Sequence, residues 1–144
     1  MNKTVTSKEE ILEVSRTIAA REGITAVNMR TVAAGCGIAL GSLYNYFASK
    51  AELLSATVEA VWADIFPIEK ISEECENIVE YLKILLESAE ESKEQYPQFF
   101  SMHALGFAAG DKQTGRKTME EYFRKIKQQM MCFLRNDENI RLHI

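Results

Sequence analysis

The residues whose types and spacing could do chemistry are gathered in one run, Asn28 to Leu53. Its chemistry is recognition rather than bond-breaking. Asn28 is a good helix N-cap, Val32 and Ala33 form a tightly packing apolar face, and Gly35 and Gly37 permit the backbone angles of a sharp turn. Ile38 anchors that turn in a core. A second helix, expected over about 40–47, opens with Leu40, Gly41 and Ser42. Those residues leave its N-terminal end uncluttered, as a helix needs if its first turn must enter the major groove of DNA. No catalytic set competes with this reading. His103 and His143 have no nucleophile or metal ligand beside them, and no serine sits in an elbow motif. Neither an enzyme nor a cofactor or metal is expected.

Such a run must be positioned by helices on both sides. A first helix is expected over about 7–21, with Ser7 and Glu10 as a capping box, Ile11, Val14, Ile18 and Ala19 as one apolar face, and Gly23 as its stop. A fourth should start at Ser49, with Glu52 three residues on, and run through Leu53, Val58, Val61 and Trp62 to a stop at Pro67. Its wide apolar set would face both the N-terminal helices and whatever follows. One helix is expected over about 72–92, on the stripe Cys75, Ile78, Val79, Leu82, Leu85, Leu86 and Ala89. Pro97 should open a short helix carrying Phe99, Phe100, Met102, Leu105 and Phe107. A last long helix over about 114–135 carries Met119, Tyr122, Phe123, Ile126, Met130, Phe133 and Leu134, broken by Asn136 to Asn139. The fold class is therefore all-α. A head over 1–48 is joined to a helical domain over 49–144.

The run from Asn28 to Leu53 resembles the helix-turn-helix of tetracycline-repressor-type (TetR family) transcriptional regulators. The family pattern appears as Asn28, Val32-Ala33, Gly37-Ile38 and Gly41-Ser42-Leu43-Tyr44-Asn45-Tyr46-Phe47-Ala48-Ser49-Lys50-Ala51-Glu52-Leu53. The likeness reaches back to Ile11. The resemblance implies a homodimeric, cytoplasmic repressor that binds a palindromic operator in double-stranded DNA and is released by a small effector. It assigns phosphate contact to Tyr44, Tyr46 and Lys50, with Asn28, Thr31 and Arg30 on the preceding helix. For Arg30 a plain surface charge is an equal alternative. Ala39 stands where the family usually has a capping residue, and the recognition helix carries no Arg or Lys. Base reading would rest on Ser42, Asn45, backbone groups around Gly41, and contact of Leu40 or Ala39 with thymine methyls.

Composition bounds the rest. The 144 residues are 47% apolar, with seven glycines and two prolines, which suits helices around a sizeable core. No apolar run approaches a membrane span, and no secretory signal is visible. The net charge of −4 is uneven: residues 1–50 hold six basic against four acidic side chains, and the remainder eleven against seventeen. A mildly basic head on an acidic body suits a protein that touches phosphate with one end. Cys36, Cys75 and Cys132 are too widely separated for a zinc or redox motif and read as reduced thiols, mostly buried.

Two further expectations concern the second domain. Trp62, Phe66, Phe99, Phe100, Met102, His103 and Phe107 either line a pocket for a small apolar effector or are ordinary core. The last helix carries a stripe large enough to pair with a second subunit. There is room for only one such helix where the family usually ends in two, so either this is a compact member or the C-terminal part is missing. The alternative is a helical protein–protein interaction module that has lost DNA binding. The uncharged recognition helix and the acidic total charge favour it.

Overall fold

The computed structural model describes residues 6–97 and 112–141, and every regular element among them is helical. Capping chemistry sets the starts. Helix α1 (Lys8–Glu22) begins at Ser7, whose Oγ accepts the Glu10 N–H at 3.1 Å, and ends at Gly23. A short 3₁₀ turn, Ile24–Ala26, leads to α2 (Met29–Cys36). There Asn28 and Thr31 form a reciprocal capping box: Asn28 Oδ1 accepts the Thr31 N–H at 3.0 Å, and Thr31 Oγ1 accepts the Asn28 N–H at 3.2 Å. Gly37 closes α2 in the left-handed region, at φ 68°. Gly35 proves to have another role than the turn expected of it. It lies inside α2, where an added Cβ would sit 2.6 Å from Val14 Cγ1, so its lack of a side chain lets α1 and α2 cross closely.

Helix α3 is Leu40–Tyr44, shorter than expected, because the chain tightens into turns in which the N–H groups of both Tyr46 and Phe47 donate to the Leu43 carbonyl. Helix α4 (Lys50–Ile65) is capped by Ser49, and the Glu52 carboxylate accepts the Ala48 N–H at 2.9 Å. The expected single helix over 72–92 is instead two: α5 (Ile68–Glu74) and α6 (Ile78–Gln95). Asn77 divides them by capping α6, and the Glu80 carboxylate accepts the Glu76 N–H, repeating the arrangement that starts α4. The last long helix, α7, is Lys112–Asn136, and one further turn, α8 (Glu138–Arg141), follows it. The short helix expected from Pro97 lies outside the described residues.

Helix α4 is the spine. It packs against α1 on one side and against α6 and α7 on the other. The core runs without a break from Ile11, Val32 and Leu43 through Leu53, Val61 and Ile65 to Tyr81 and Ile126. It therefore crosses the expected division after residue 48. Inside it, Ser15 and Thr57 are both wholly buried and share a hydrogen bond of 2.6 Å, while Thr57 Oγ1 donates to the Leu53 carbonyl at 2.7 Å. No glycine caps the C-terminus of α4. Body hydroxyls meet its free carbonyls instead: Ser88 donates to Ile65 O and Tyr122 to Phe66 O.

The stripe expected on α6 is too wide. Ile78, Tyr81 and Leu85 face the core, whereas Val79 and Leu86 are 71% and 68% exposed. Val79 and Leu86 lie about 100° round the helix from Ile78 and Leu85, off the face that meets the core, while Leu82 packs partly against it. No helix among the described residues is long and apolar enough to cross a membrane, and they contain no cluster of metal-ligating side chains. Cys36 and Cys75 are buried, Cys132 is exposed, and none of the three forms a disulfide.

Candidate nucleic-acid interface

On α3 the spacing of four residues sorts the side chains. Leu43 and Phe47 point into the core, at 0% and 4% exposure, and hold the helix down. Leu40 and Tyr44, at 37% and 49%, share the open face with exposed Ala39 and Gly41. A Cβ on Gly41 would meet nothing within 4 Å. No contact within the fold requires that glycine. Ala39 makes no side-chain cap, as the sequence implies, and its carbonyl accepts the Ser42 and Leu43 N–H groups.

The polar residues expected at the interface divide by what they already bond. Asn28 and Thr31 are committed to the head's own backbone through the capping box, and Thr31 Oγ1 also donates to Ala26 O at 2.9 Å. Tyr46 is half-buried and donates to the Thr6 carbonyl at 2.7 Å. Its phenol thus tethers the segment before α1 beside the recognition helix, a contact across 40 residues that no local pattern announces. Arg30, Ser42, Tyr44, Asn45 and Lys50 differ: among the described residues their side chains have no hydrogen-bond or ion-pair partner. A guanidinium, two hydroxyls, an amide and an ammonium are therefore free to bind.

Lys50 opens α4, next to the positive end of that helix's dipole, where a cation is unfavourable by a few tenths of a kcal/mol. No ion-pair partner among the described residues offsets that cost. Lys8, a second cation, has its Nζ 5.4 Å from the Phe47 ring centroid. That sets it at the corner where α3 meets α4. The structure thus presents a short helix with an open backbone at its first turn, flanked by unpaired donors and cations. Such a surface can bind a polyanion and read base edges.

The seven residues proposed to line an effector pocket fare differently. Phe99, Phe100, Met102, His103 and Phe107 lie outside the described residues. Trp62 is buried in an aromatic cluster, stacked on Phe66 at 5.7 Å and edge-on to Phe123 at 5.8 Å. Neither Trp62 nor Phe66 lines the surface grooves of about 340, 360 and 390 Å³.

Comparison with known proteins agrees with this geometry. The family model described as "Bacterial regulatory proteins, tetR family" matches residues 11–57, from α1 into the first half of α4. Residues 11–57 are thus similar to the tetR family. The HTH-type transcriptional repressor KstR2 of Mycobacterium tuberculosis, from strains CDC 1551 / Oshkosh and ATCC 25618 / H37Rv, is 44% identical to this chain over 45 residues. That stretch is 31% of this chain and 22% of the relative. The chain thus matches about a fifth of the length of these curated relatives. No solved structure matches significantly. Within the tetR-family segment lie all the interface residues just described, from Asn28 to Lys50, together with both sides of the Ser15–Thr57 contact.

Proposed function

We propose that this tetR-family chain is a DNA-binding transcriptional regulator, of repressor type like the relative it resembles, acting as a homodimer. The observation that carries the reading is the division of polar groups in the head. Those that build the fold are bonded, and those around the open face of α3 and the start of α4 are not. Ser42, Asn45, Leu40 and Ala39 would meet base edges, and Arg30, Tyr44 and Lys50 phosphates. Two heads on one palindromic site would lie about 34 Å apart. The exposed apolar residues Val79 and Leu86 on α6 and Phe123 and Met131 on α7 supply the surface a second copy would cover. Release by a small apolar effector in the body is part of the same proposal, as is action in the cytoplasm.

Binding of labelled genomic fragments across a salt series tests the DNA reading. Affinity should fall steeply with salt, and the slope should lessen by about one per protomer in Lys50→Ala. Asn45→Ala should change sequence preference instead. A chain that binds no fragment even at low salt, while remaining folded, would leave the interaction-module alternative. The absence of a cation on α3 and the net charge of −4 favour that alternative.

A further inference from the structure

Three helices meet at one carboxylate. Asp64, near the end of α4, accepts from Arg16 Nη1 of α1 at 2.9 Å and from the Tyr96 hydroxyl, at the end of α6, at 2.6 Å. The two donors use different oxygens, Oδ1 and Oδ2, so each fixes the carboxylate for the other. Tyr96 is 2% exposed, and burial followed by the Asp64 hydrogen bond pushes its pKa well above the ordinary phenol value. It therefore remains a proton donor across the neutral range. The Arg16–Asp64 pair is different. Both side chains are about 30% exposed, and they border a groove of about 360 Å³ lined also by Glu13, Thr17 and Arg21. The guanidinium has room to swing out.

One residue earlier on α1, Ser15 bonds to Thr57 with both side chains wholly buried. Thr57 and Asp64 are seven residues, or about 10.5 Å, apart along α4. The head is thus joined to the spine by a sealed contact and, two turns on, by an ionic contact at the surface. We propose that Ser15–Thr57 is a pivot and Arg16–Asp64–Tyr96 a latch, in which Tyr96 is the positioning residue through which the end of α6 sets the angle of α1 and so of the DNA-binding head. The device deepens the regulatory reading above, but its mechanical part stands without DNA. A change in the body that withdraws Tyr96 leaves Asp64 unoriented, weakens its hold on Arg16 and frees the head to turn about the pivot.

Backbone hydrogen exchange on the full, DNA-free chain tests it, with Arg16→Gln, Tyr96→Phe and the double variant compared at matched fractions folded. Either single change should speed exchange in the last two turns of α1 by about tenfold. The double variant should exchange no faster than Arg16→Gln, because Tyr96 acts on α1 only through the arginine's carboxylate. Unchanged α1 exchange in Tyr96→Phe, or effects that multiply in the double variant, would overturn the latch. Tyr96→Phe should also bind DNA less tightly, although Tyr96 lies far in sequence from every interface residue. A chain that fails to bind DNA in any form counts against the regulator reading, while the exchange pattern decides the latch.

Discussion

The head and the body solve the same problem, burying short amphipathic helices, by opposite means. In the head, α2 and α3 have eight and five residues, too short to be stable alone. Local devices compensate: the Asn28–Thr31 box, the left-handed Gly37, and the close α1–α2 crossing at Gly35. In the body, α6 and α7 have 18 and 25 residues. They are held by ring packing, such as Tyr81 on Phe133 at 5.0 Å, and by hydroxyls that reach across to the carbonyls of α4. The short helices of the head are closed by caps within a few residues, and polar side chains around α3 stay unbonded. The body leaves Val79, Leu86, Phe123 and Met131 open instead. On the proposed reading the free polar side chains around α3 would meet nucleic acid and the uncovered apolar ones of α6 and α7 a second copy.

The contrast can be broken most sharply in the core. Leu43→Ala and Leu85→Ala remove buried leucines from head and body, and each should cost about 2–5 kcal/mol, with Leu43, the more deeply buried, at the upper end. Because one core spans both regions, chemical denaturation should show a single transition in either variant. A separate early transition in Leu43→Ala would mean that the head folds apart from the body. Next come two glycines of the head that should respond in opposite directions. Gly35→Ala drives a Cβ into the stiff Val14 side chain and should destabilise by about 1–3 kcal/mol. Gly41→Ala meets nothing and should stabilise the isolated protein by about 0.5–1 kcal/mol while weakening DNA binding. Thermal melts with and without DNA would show both.

In the body, burial and then the nearby Glu69 and Glu59 push the Tyr122 phenol from 10.0 up to about 12. The unfolded chain releases that proton first. The stabilisation is therefore complete below about pH 10 and is lost as pH rises toward 12. Tyr122→Phe should flatten this alkaline loss in urea titrations across that range. The smallest effect on stability is expected for Lys50→Ala, within a few tenths of a kcal/mol of the parent and toward greater stability, because it removes a cation from the start of α4. A DNA affinity about tenfold lower in the same variant would separate interface from scaffold. A clear loss of melting temperature would show that Lys50 belongs to the scaffold.

The sequence by itself determined what depends on neighbours along the chain. The Ser7, Asn28 and Ser49 caps, the stop at Gly37 and the inward Leu43 and Phe47 were legible, because caps, turns and helix faces are decided within about four residues. So was the run from Asn28 to Lys50 as the candidate site. The break between α5 and α6 was legible too, in Asn77 and Glu80 at capping-box spacing, but the continuous apolar stripe overrode it. The tertiary structure alone decided which apolar residues are surplus: Val79 and Leu86 share a helix with Tyr81 and differ from it only in which way they face. It also decided that Gly35 serves a helix crossing, that Tyr46 is a tether, and that Arg16, Asp64 and Tyr96 meet. Those contacts join residues 21 to 48 positions apart, and pairing at that range depends on how whole helices pack rather than on any local preference.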